Sequence, residues 1–353
     1  IENINVYKGG KAKLNNNKRV IKLSSNENPY GASPKAIELL ETKNINHDLH
    51  RYPEIDGSSL REAIAKNFSI DSNRIILGSG SDEVLLFAAL AFCQDGDEIL
   101  HANHGFEMYS IVSKVVGAVP KKIKEDVNFN LNIENLIDQT NDATKVIYIA
   151  SPNNPTGTYL SRDQLVKLMN SISKNIIVVI DGAYVEYVQK DDYDKGFSLT
   201  DEYENIILTR TFSKTYGLAA LRVGWCYTSQ KIADIINKIK PPFNTTTISQ
   251  SLAIKALEDK EHIENSVKLN SEIKDWFEKE LKLLNIKTRQ TEGNFTLIET
   301  SEEEAEKISN HLMNDGIIIR RLNSYNLPNF LRISIGTKEE MDLTVESLKK
   351  LNV

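Results

Sequence analysis

From about Asp71 onward, hydrophobic and polar positions along the chain alternate between two kinds of segment. Short runs that are apolar throughout predict strands buried on both faces, and longer runs with apolar residues at helical spacing predict helices between them. The apolar runs are RIILG, DEIL, KVIYIA, NIIVVID, NIILTRT and RVGWCYT, and the helical patterns include DEVLLFAALAF, MYSIVSKVV, RDQLVKLM and KIADIINKI. Together they predict an α/β fold, with a mainly parallel central sheet between helical layers.

A second, smaller unit is predicted toward the end of the chain. Pro241 and Pro242 interrupt the alternation, and a long helical pattern from about Ile248 to Leu284 leads into segments that predict strand, helix, strand, strand and helix. These segments are FTLIE, EEEAEKISNHLMN, IIIRR, LRISI and EEMDLTVESLKKL. We therefore predict an N-terminal arm or lid at residues 1–45 that packs with the small domain, a large domain at 46–245 and a small α+β domain at 246–353.

Composition excludes several classes of protein. A chain of 353 residues can bury a full core, and a formal charge of -6 without basic clusters argues against nucleic-acid binding. Cys93 and Cys226 lie in apolar segments without a Cys or His at metal-ligand spacing, so neither a disulfide framework nor a metal site is indicated. No run approaches the ~18 apolar residues of a membrane span, and the segment IENINVYKGGKAK lacks the apolar core of a signal peptide. We expect a cytoplasmic protein that does not bind membranes.

Two turns that follow predicted strands have the residues of a ligand site. In GSGSDE, at 78–83, glycines allow close backbone approach and the N–H groups of a helix start attract a phosphate. An ordinary turn with Ser81 or Asp82 as N-cap explains the same residues and, taken singly, is the better interpretation. The loop at 151–157 follows another strand. Asn154 in it could donate to an oxygen on an aromatic ring, although turn chemistry also explains the loop.

An amine and a carboxylate indicate which ligand this would be. Lys214 has Thr211, Ser213 and Arg222 close in sequence, so three potential phosphate partners surround an amine that can form a Schiff base with pyridoxal phosphate. Asp181 ends a buried strand, where a carboxylate is costly unless paired; a pyridinium is a suitable partner, and a helix cap is the alternative. Burial and cationic neighbours should lower the pKa of Lys214 toward neutrality.

These segments resemble the fold-type I aminotransferases of class I/II, and most closely the histidinol-phosphate aminotransferases. The segments that carry the resemblance are SSNENPYG (24–31), HRYPEIDG (50–57), GSGSDE (78–83), SPNNPTG (151–157), DGAY (181–184), TFSKTYGLAALRVGW (211–225) and LRISIGT (331–337). SNENP-x-G together with RYP and the lysine segment is specific to this family, whereas NPTG alone indicates only the wider superfamily. The resemblance implies a large domain that binds pyridoxal 5'-phosphate and a smaller α+β domain.

The resemblance also implies roles for individual residues. Lys214 would bond the cofactor covalently and then transfer a proton, and Asp181 would pair with the pyridinium. The other cofactor contacts would be Asn154 and Tyr184 at the ring oxygen, Tyr109 stacked on the ring, and Ser81, Asp82, Thr211, Ser213 and Arg222 at the phosphate. Tyr52, in RYP, would reach the cofactor phosphate of a neighbouring subunit, which implies a homodimer with shared active sites.

On the substrate side, Arg332 matches an arginine that grips the anionic end, Arg320 looks like its helper, and Tyr7, Asn26 and Asn294 would line the mouth. Arg321 beside Arg320 leaves open which guanidinium faces the substrate, since strand alternation allows only one. Two further departures from the family pattern are Gly182, where many relatives have Glu, and His104-Gly105, where Pro-Thr is common before the stacking aromatic.

We interpret the chain as a histidinol-phosphate aminotransferase, which exchanges an amino group between histidinol phosphate and 2-oxoglutarate in histidine biosynthesis. An aromatic or broad-range aminotransferase is the nearest alternative, because relatives with the same motifs accept aromatic amino acids. A phospho-amino-acid decarboxylase of the same fold is a second alternative, and a binding module without catalysis is a third.

Overall fold

A computed structural model of the chain describes residues 4, 6–7, 9–11, 20–42 and 50–351. Its strands are β1 (Ile21–Lys22), β2 (Ile75–Gly78), β3 (Glu98–Ala102), β4 (Val119–Ile123), β5 (Thr144–Ala150), β6 (Ile177–Asp181), β7 (Ile206–Thr211), β8 (Gly224–Thr228), β9 (Lys287–Arg289), β10 (Phe295–Glu299), β11 (Ile317–Ile318), β12 (Arg320–Leu322) and β13 (Leu327–Ser334). Its helices are α1 (Pro34–Glu41), α2 (Ser58–Phe68), α3 (Ser81–Phe92), α4 (Glu107–Val115), α5 (Ile133–Asp138), α6 (Arg162–Ser171), α7 (Leu199–Glu202), α8 (Gln230–Ile239), α9 (Thr247–Glu258), α10 (Lys260–Leu283), α11 (Glu302–Asn314) and α12 (Lys338–Lys349).

The large domain is built on a seven-stranded sheet in the order β2-β8-β7-β6-β5-β3-β4. Strands β4, β3, β5, β6 and β7 run parallel, and β8 runs antiparallel to both β7 and β2. The prediction of an α/β fold with a mainly parallel sheet is confirmed. Since the carboxyl ends of β5, β6 and β7 meet at one edge, the loops at 151–157, 181–184 and 211–217 come together there.

Helices cover both faces of this sheet. Side chains of β5 alternate between the two layers, because successive residues of a strand point to opposite faces. Val146 and Tyr148 pack with α3, α4 and α8, whereas Ile147 and Ile149 pack with α5 and α6. The apolar run KVIYIA is therefore buried on both sides, as its composition predicts.

The small domain is an antiparallel sheet in the order β12-β13-β10-β9, with α10, α11 and α12 packed against it. Ser301 and Thr337 each begin a helix with a capping box, together with Glu304 and Glu340. Strand β1 pairs in parallel with β11 of the small domain. The segment after β1, residues 23–28, then crosses toward the large domain.

The long helical pattern predicted at 248–284 forms two helices. Asp259 interrupts it because its side chain accepts hydrogen bonds from the His262 N–H at 3.4 Å and from the Ser33 hydroxyl at 2.6 Å. Leu252 and Ala256 of α9 pack in the same hydrophobic cluster as α2. The domain boundary predicted at 246 remains a prediction. None of the helices within the described residues is long and apolar enough to cross a membrane.

The loop that contains Lys214 lies directly against the N-terminal segment at Gly217. Gly217 has φ +68°, and a Cβ there would lie 2.0 Å from the Gly31 carbonyl oxygen. Gly96 has φ +84°, and a Cβ at that position would meet nothing within 4 Å. The two glycines therefore share the left-handed conformation but differ in the space around them.

We predict that Gly217→Ala lowers the free energy of unfolding by about 2 to 4 kcal/mol, since it adds a steric clash to the cost of a left-handed alanine. Gly96→Ala should lose only about 1 kcal/mol. Urea unfolding of both variants, followed by circular dichroism, measures the difference. Equal losses in the two variants would show that the contact with Gly31 does not constrain this loop.

Candidate active site

A cavity of about 360 Å³ lies at the carboxyl ends of the parallel strands, between the two domains. The predicted site residues that line it are Tyr7, Asn26, Ser81, Asp82, Tyr109, Asn154, Asp181, Tyr184, Thr211, Ser213, Lys214, Arg222, Arg320 and Arg332. Two predicted residues lie elsewhere. Tyr52 is 81% exposed and stacks on Phe243, and Asn294 is buried, with its amide donating to the Asn26 carbonyl at 3.0 Å.

Lys214 follows β7 and points its amine into the cavity. Its Nζ donates to the Ser25 carbonyl oxygen at 3.0 Å and lies 5.7 Å from the centre of the Tyr184 ring. Burial, followed by the positive charge of Arg332, lowers the pKa of Lys214 from 10.5 to about 8. About a tenth of the amine is therefore neutral, and so nucleophilic, at pH 7, far more than for a lysine of ordinary pKa.

Asp181, at the end of β6, is the buried carboxylate of the site. It accepts hydrogen bonds of 2.8 Å from the Thr209 hydroxyl and 2.8 Å from the Tyr109 hydroxyl. Burial raises the pKa of Asp181, and these two bonds oppose the rise. Within the described residues Asp181 forms no ion pair, so a cationic N–H in the cavity would supply the partner that a buried carboxylate requires.

The start of α3 provides an anion site. The first N–H groups of α3 have no helical acceptors, and Gly80 at the N-cap has no side chain that could accept from them. Arg222 lies beside them, with its guanidinium donating to Ser213 Oγ at 3.2 Å and to Asp82 Oδ2 at 3.1 Å. A Cβ at Gly80 would lie 2.3 Å from Arg222 Nη2, so glycine is needed for this close approach. Helix amides and a guanidinium together suit a phosphate.

Two further donors that line the cavity suit an oxygen substituent on a bound ring. Arg332 Nη1 donates to Asn154 Oδ1, which leaves the Asn154 amide nitrogen available as a donor. The Tyr184 hydroxyl lies on the same cavity. An amine, a carboxylate, a phosphate site and two ring-oxygen donors are the groups that pyridoxal phosphate requires, so the residues present fit this cofactor.

The structure decides which of the two neighbouring arginines faces the cavity. Arg320 lines it and is paired across the sheet with Arg332. Arg321 points to the other face, where it forms an ion pair of 3.5 Å with Glu306 of α11. Alternation along β12 therefore leaves a pair of guanidiniums, from Arg320 and Arg332, at one end of the cavity.

Tyr109 lines the cavity, and its predicted role of stacking on the cofactor remains a prediction. Its ring stacks on Tyr148, with centroids 5.0 Å apart, and its hydroxyl donates to Asp181. Phe106, which the sequence reasoning missed, also lines the cavity and contacts Tyr109 edge to face. Tyr325 is a second missed residue, and it lines the cavity with Arg320. The sequence predicted neither residue. His104-Gly105, just before Phe106, departs from the family pattern, and Tyr325 follows the polar residues Asn323 and Ser324.

Gly182 leaves space that a buried arginine fills. A Cβ at Gly182 would lie 2.2 Å from Arg210 Nη1. The Arg210 guanidinium donates to the Thr209 carbonyl at 2.7 Å, and its charge lowers the pKa of Asp181. Glycine at position 182 therefore gives the Arg210 guanidinium room beside Asp181.

The sequence profile of the aminotransferase class I and II family matches residues 18–348. The chain belongs to the class I and II aminotransferases. Among relatives of this aminotransferase, a histidinol-phosphate aminotransferase of Dinoroseobacter shibae is 40% identical over 349 residues, covering 99% of this chain and 95% of the relative. A histidinol-phosphate aminotransferase of Pelagibacter ubique is 40% identical over 342 residues, covering 96% and 94%.

Solved structures share the fold of this aminotransferase. That of the Sinorhizobium meliloti histidinol-phosphate aminotransferase in complex with pyridoxal-5'-phosphate has a TM-score of 0.88 at 24% identity, covering 95% of this chain and 92% of that one. An aromatic aminotransferase from Pyrococcus horikoshii has a TM-score of 0.79 at 23% identity, covering 94% and 95%. The fold is therefore common to aminotransferases of different substrate preference.

We predict that Lys214 in the cofactor-free protein reacts with trinitrobenzenesulfonate at unusually low pH. Only the neutral amine reacts, and the neutral fraction rises as pH rises through the pKa of about 8. Peptide mapping after brief labelling across a pH series measures the rate at Lys214 against that of surface lysines in the same digest. A labelling midpoint near pH 10.5 would mean that burial does not lower the pKa of this amine.

Proposed function

We propose that the chain is a histidinol-phosphate aminotransferase, which transfers an amino group between L-histidinol phosphate and 2-oxoglutarate in histidine biosynthesis. The relatives at 40% identity over nearly the whole chain support the substrate assignment. The observation that carries it is the pair of guanidiniums, Arg320 and Arg332, on the same cavity as the Lys214 amine. Such a pair can bind a phosphate or a carboxylate bidentately, so one pocket serves both substrates.

Pyridoxal phosphate would be held by the residues that face the cavity. The helix start at Ser81 and Asp82, with Thr211, Ser213 and Arg222, would bind the phosphate, Asp181 would pair with the ring nitrogen, and Asn154 and Tyr184 would donate to the ring oxygen. When bound, this cofactor supplies a covalent anchor for the substrate amine and accepts the electrons that are released at the substrate Cα.

Lys214 would act as the base and acid of the reaction. Its lowered pKa keeps part of the amine neutral, so that it can accept a proton from the substrate Cα. The protonated amine would then return the proton to the bound cofactor. Asp181 would remain ionised while paired to a cation. Tyr109 and Thr209 would hold its carboxylate in place through their hydroxyls.

An aromatic aminotransferase is the second candidate. Phe106, Met108 and Tyr109 form a largely apolar wall of the cavity, and such a wall can receive an aromatic ring as readily as an imidazole. The guanidinium pair would then bind only carboxylates.

Turnover with histidinol phosphate, phenylalanine and tyrosine, each with 2-oxoglutarate, tests the proposal. We expect kcat/KM for histidinol phosphate to exceed that for either aromatic amino acid by at least tenfold. A preference for phenylalanine or tyrosine would favour the aromatic activity. Carbon dioxide release from a phosphorylated amino acid, without formation of a keto product, would favour a decarboxylase.

We predict that Arg332→Ala raises KM for histidinol phosphate and for glutamate together, by roughly 10- to 100-fold, because each anion loses a charge-assisted hydrogen bond. Arg321→Ala is the matched control, since its side chain lies on the other face of β12. Steady-state kinetics with both substrates measures the effect. Loss of only one substrate would mean that separate residues bind the two anions.

We further propose that the enzyme is a cytoplasmic homodimer in which Tyr52 reaches the partner's cofactor phosphate. The proposal is supported by the exposed Tyr52 ring, which stacks on Phe243 at 4.6 Å and forms an aromatic surface that a partner subunit can cover. Tyr52→Phe should weaken pyridoxal phosphate binding about three- to tenfold while the protein stays dimeric. Equilibrium dialysis and sedimentation velocity measure the two properties, and a fully active monomer would contradict the dimer.

A further inference from the structure

A chain of hydrogen bonds joins β13 of the small domain to Tyr184 of the large domain. The Asn26 backbone N–H donates to Ser334 Oγ at 2.8 Å, and Ser334 Oγ donates to Asn26 Oδ1 at 2.9 Å. Asn26 Nδ2 donates in turn to the Tyr184 hydroxyl oxygen at 3.1 Å. All three residues are buried, so these bonds form out of contact with bulk water.

The orientation of the Asn26 amide sets the directions of these bonds. Asn26 presents its Oδ1 to the Ser334 hydroxyl, which donates to it, and its Nδ2 to the Tyr184 oxygen. The Tyr184 oxygen then accepts from Asn26, and its single proton must point to another acceptor. Among the described residues no acceptor for that proton is found, and Tyr184 lines the cavity.

The backbone holds Asn26 in place for this task. Asn26 has φ +53°, a left-handed conformation that asparagine adopts more readily than most residues. Its carbonyl accepts from the Asn294 amide at 3.0 Å. The preceding carbonyl, that of Ser25, accepts from Lys214. Asn26 therefore lies in a segment that hydrogen bonds hold on both sides.

We propose that Asn26 is a positioning residue, which directs the Tyr184 proton into the cavity as a hydrogen-bond donor to the ring oxygen of the cofactor. This rests on the proposed function. Ser334 orients Asn26 just as Arg332 orients Asn154, and the two residues lie two positions apart on one face of β13. Strand β13 of the small domain thus sets the direction of both ring-oxygen donors, the Asn154 amide and the Tyr184 hydroxyl.

A double-mutant cycle tests the proposal, with the dissociation constant of pyridoxal phosphate measured by equilibrium dialysis. Asn26→Gly tolerates the left-handed backbone and removes the amide, and we expect it to weaken binding about three- to tenfold. In a Tyr184→Phe background the same substitution should have no further effect, because Asn26 acts through the Tyr184 hydroxyl. Asn285→Gly, at an exposed position with φ +58°, is the control for the added glycine and should leave binding unchanged.

A second readout follows the bound cofactor itself. Weaker donation to the ring oxygen should raise, by about half a pH unit or more, the pH at which the absorbance of bound cofactor changes. Ser334→Ala should shift it in the same direction. Additive effects of Asn26→Gly and Tyr184→Phe would overturn the proposal, because Asn26 would then act independently of Tyr184. An effect on substrate KM with cofactor binding unchanged would also overturn it and would make Asn26 a substrate contact. Failure of the unmodified protein to bind pyridoxal phosphate would instead overturn the proposed function.

Discussion

Three charged groups share one cavity without pairing with one another, and this constraint explains most of the site. Asp181 and Arg332 are each 5% exposed and Lys214 is partly buried, and an unpartnered charge that is removed from water is costly. Within the described residues none of them forms an ion pair. Carbonyl groups of Ser24 and Ser25 accept from the two cations, and hydroxyls donate to the carboxylate. The site is therefore arranged for charges that a bound ligand supplies.

The same constraint accounts for the course of the N-terminal segment. The carbonyl oxygens that serve Lys214 and Arg332 come from residues 24 and 25, which cross from the small domain to the large one. Asn28 continues the contact, since its amide donates to the Thr215 carbonyl at 2.8 Å. The two domains therefore meet near the Lys214 amine, and residues 24–28 supply hydrogen-bond partners to side chains and backbone of both domains.

Much of this site could be predicted from sequence, because its reactive residues directly follow segments that the hydrophobic pattern identifies as strands. Asp181 and Lys214 each follow a run that is apolar throughout, and parallel strands bring their ends together. The interruption at Asp259 could not be predicted in this way, since it depends on Ser33, which is distant in sequence. The same holds for the Tyr109 contact with Asp181 and for the Arg210 guanidinium in the space beside Gly182. Each of these depends on side-chain directions across layers, which a pattern of apolar and polar positions does not contain.

Asn26 illustrates how a residue can be correctly associated with a site while its role is set by tertiary contacts. The motif places it near the cavity, but only the bonds to Ser334 and Tyr184 show which way its amide faces. Borohydride reduction of the protein loaded with pyridoxal phosphate, followed by peptide mapping, tests the central claim most directly. The account predicts that the cofactor is found attached to Lys214 alone. Attachment to another lysine, or no attachment, would contradict it.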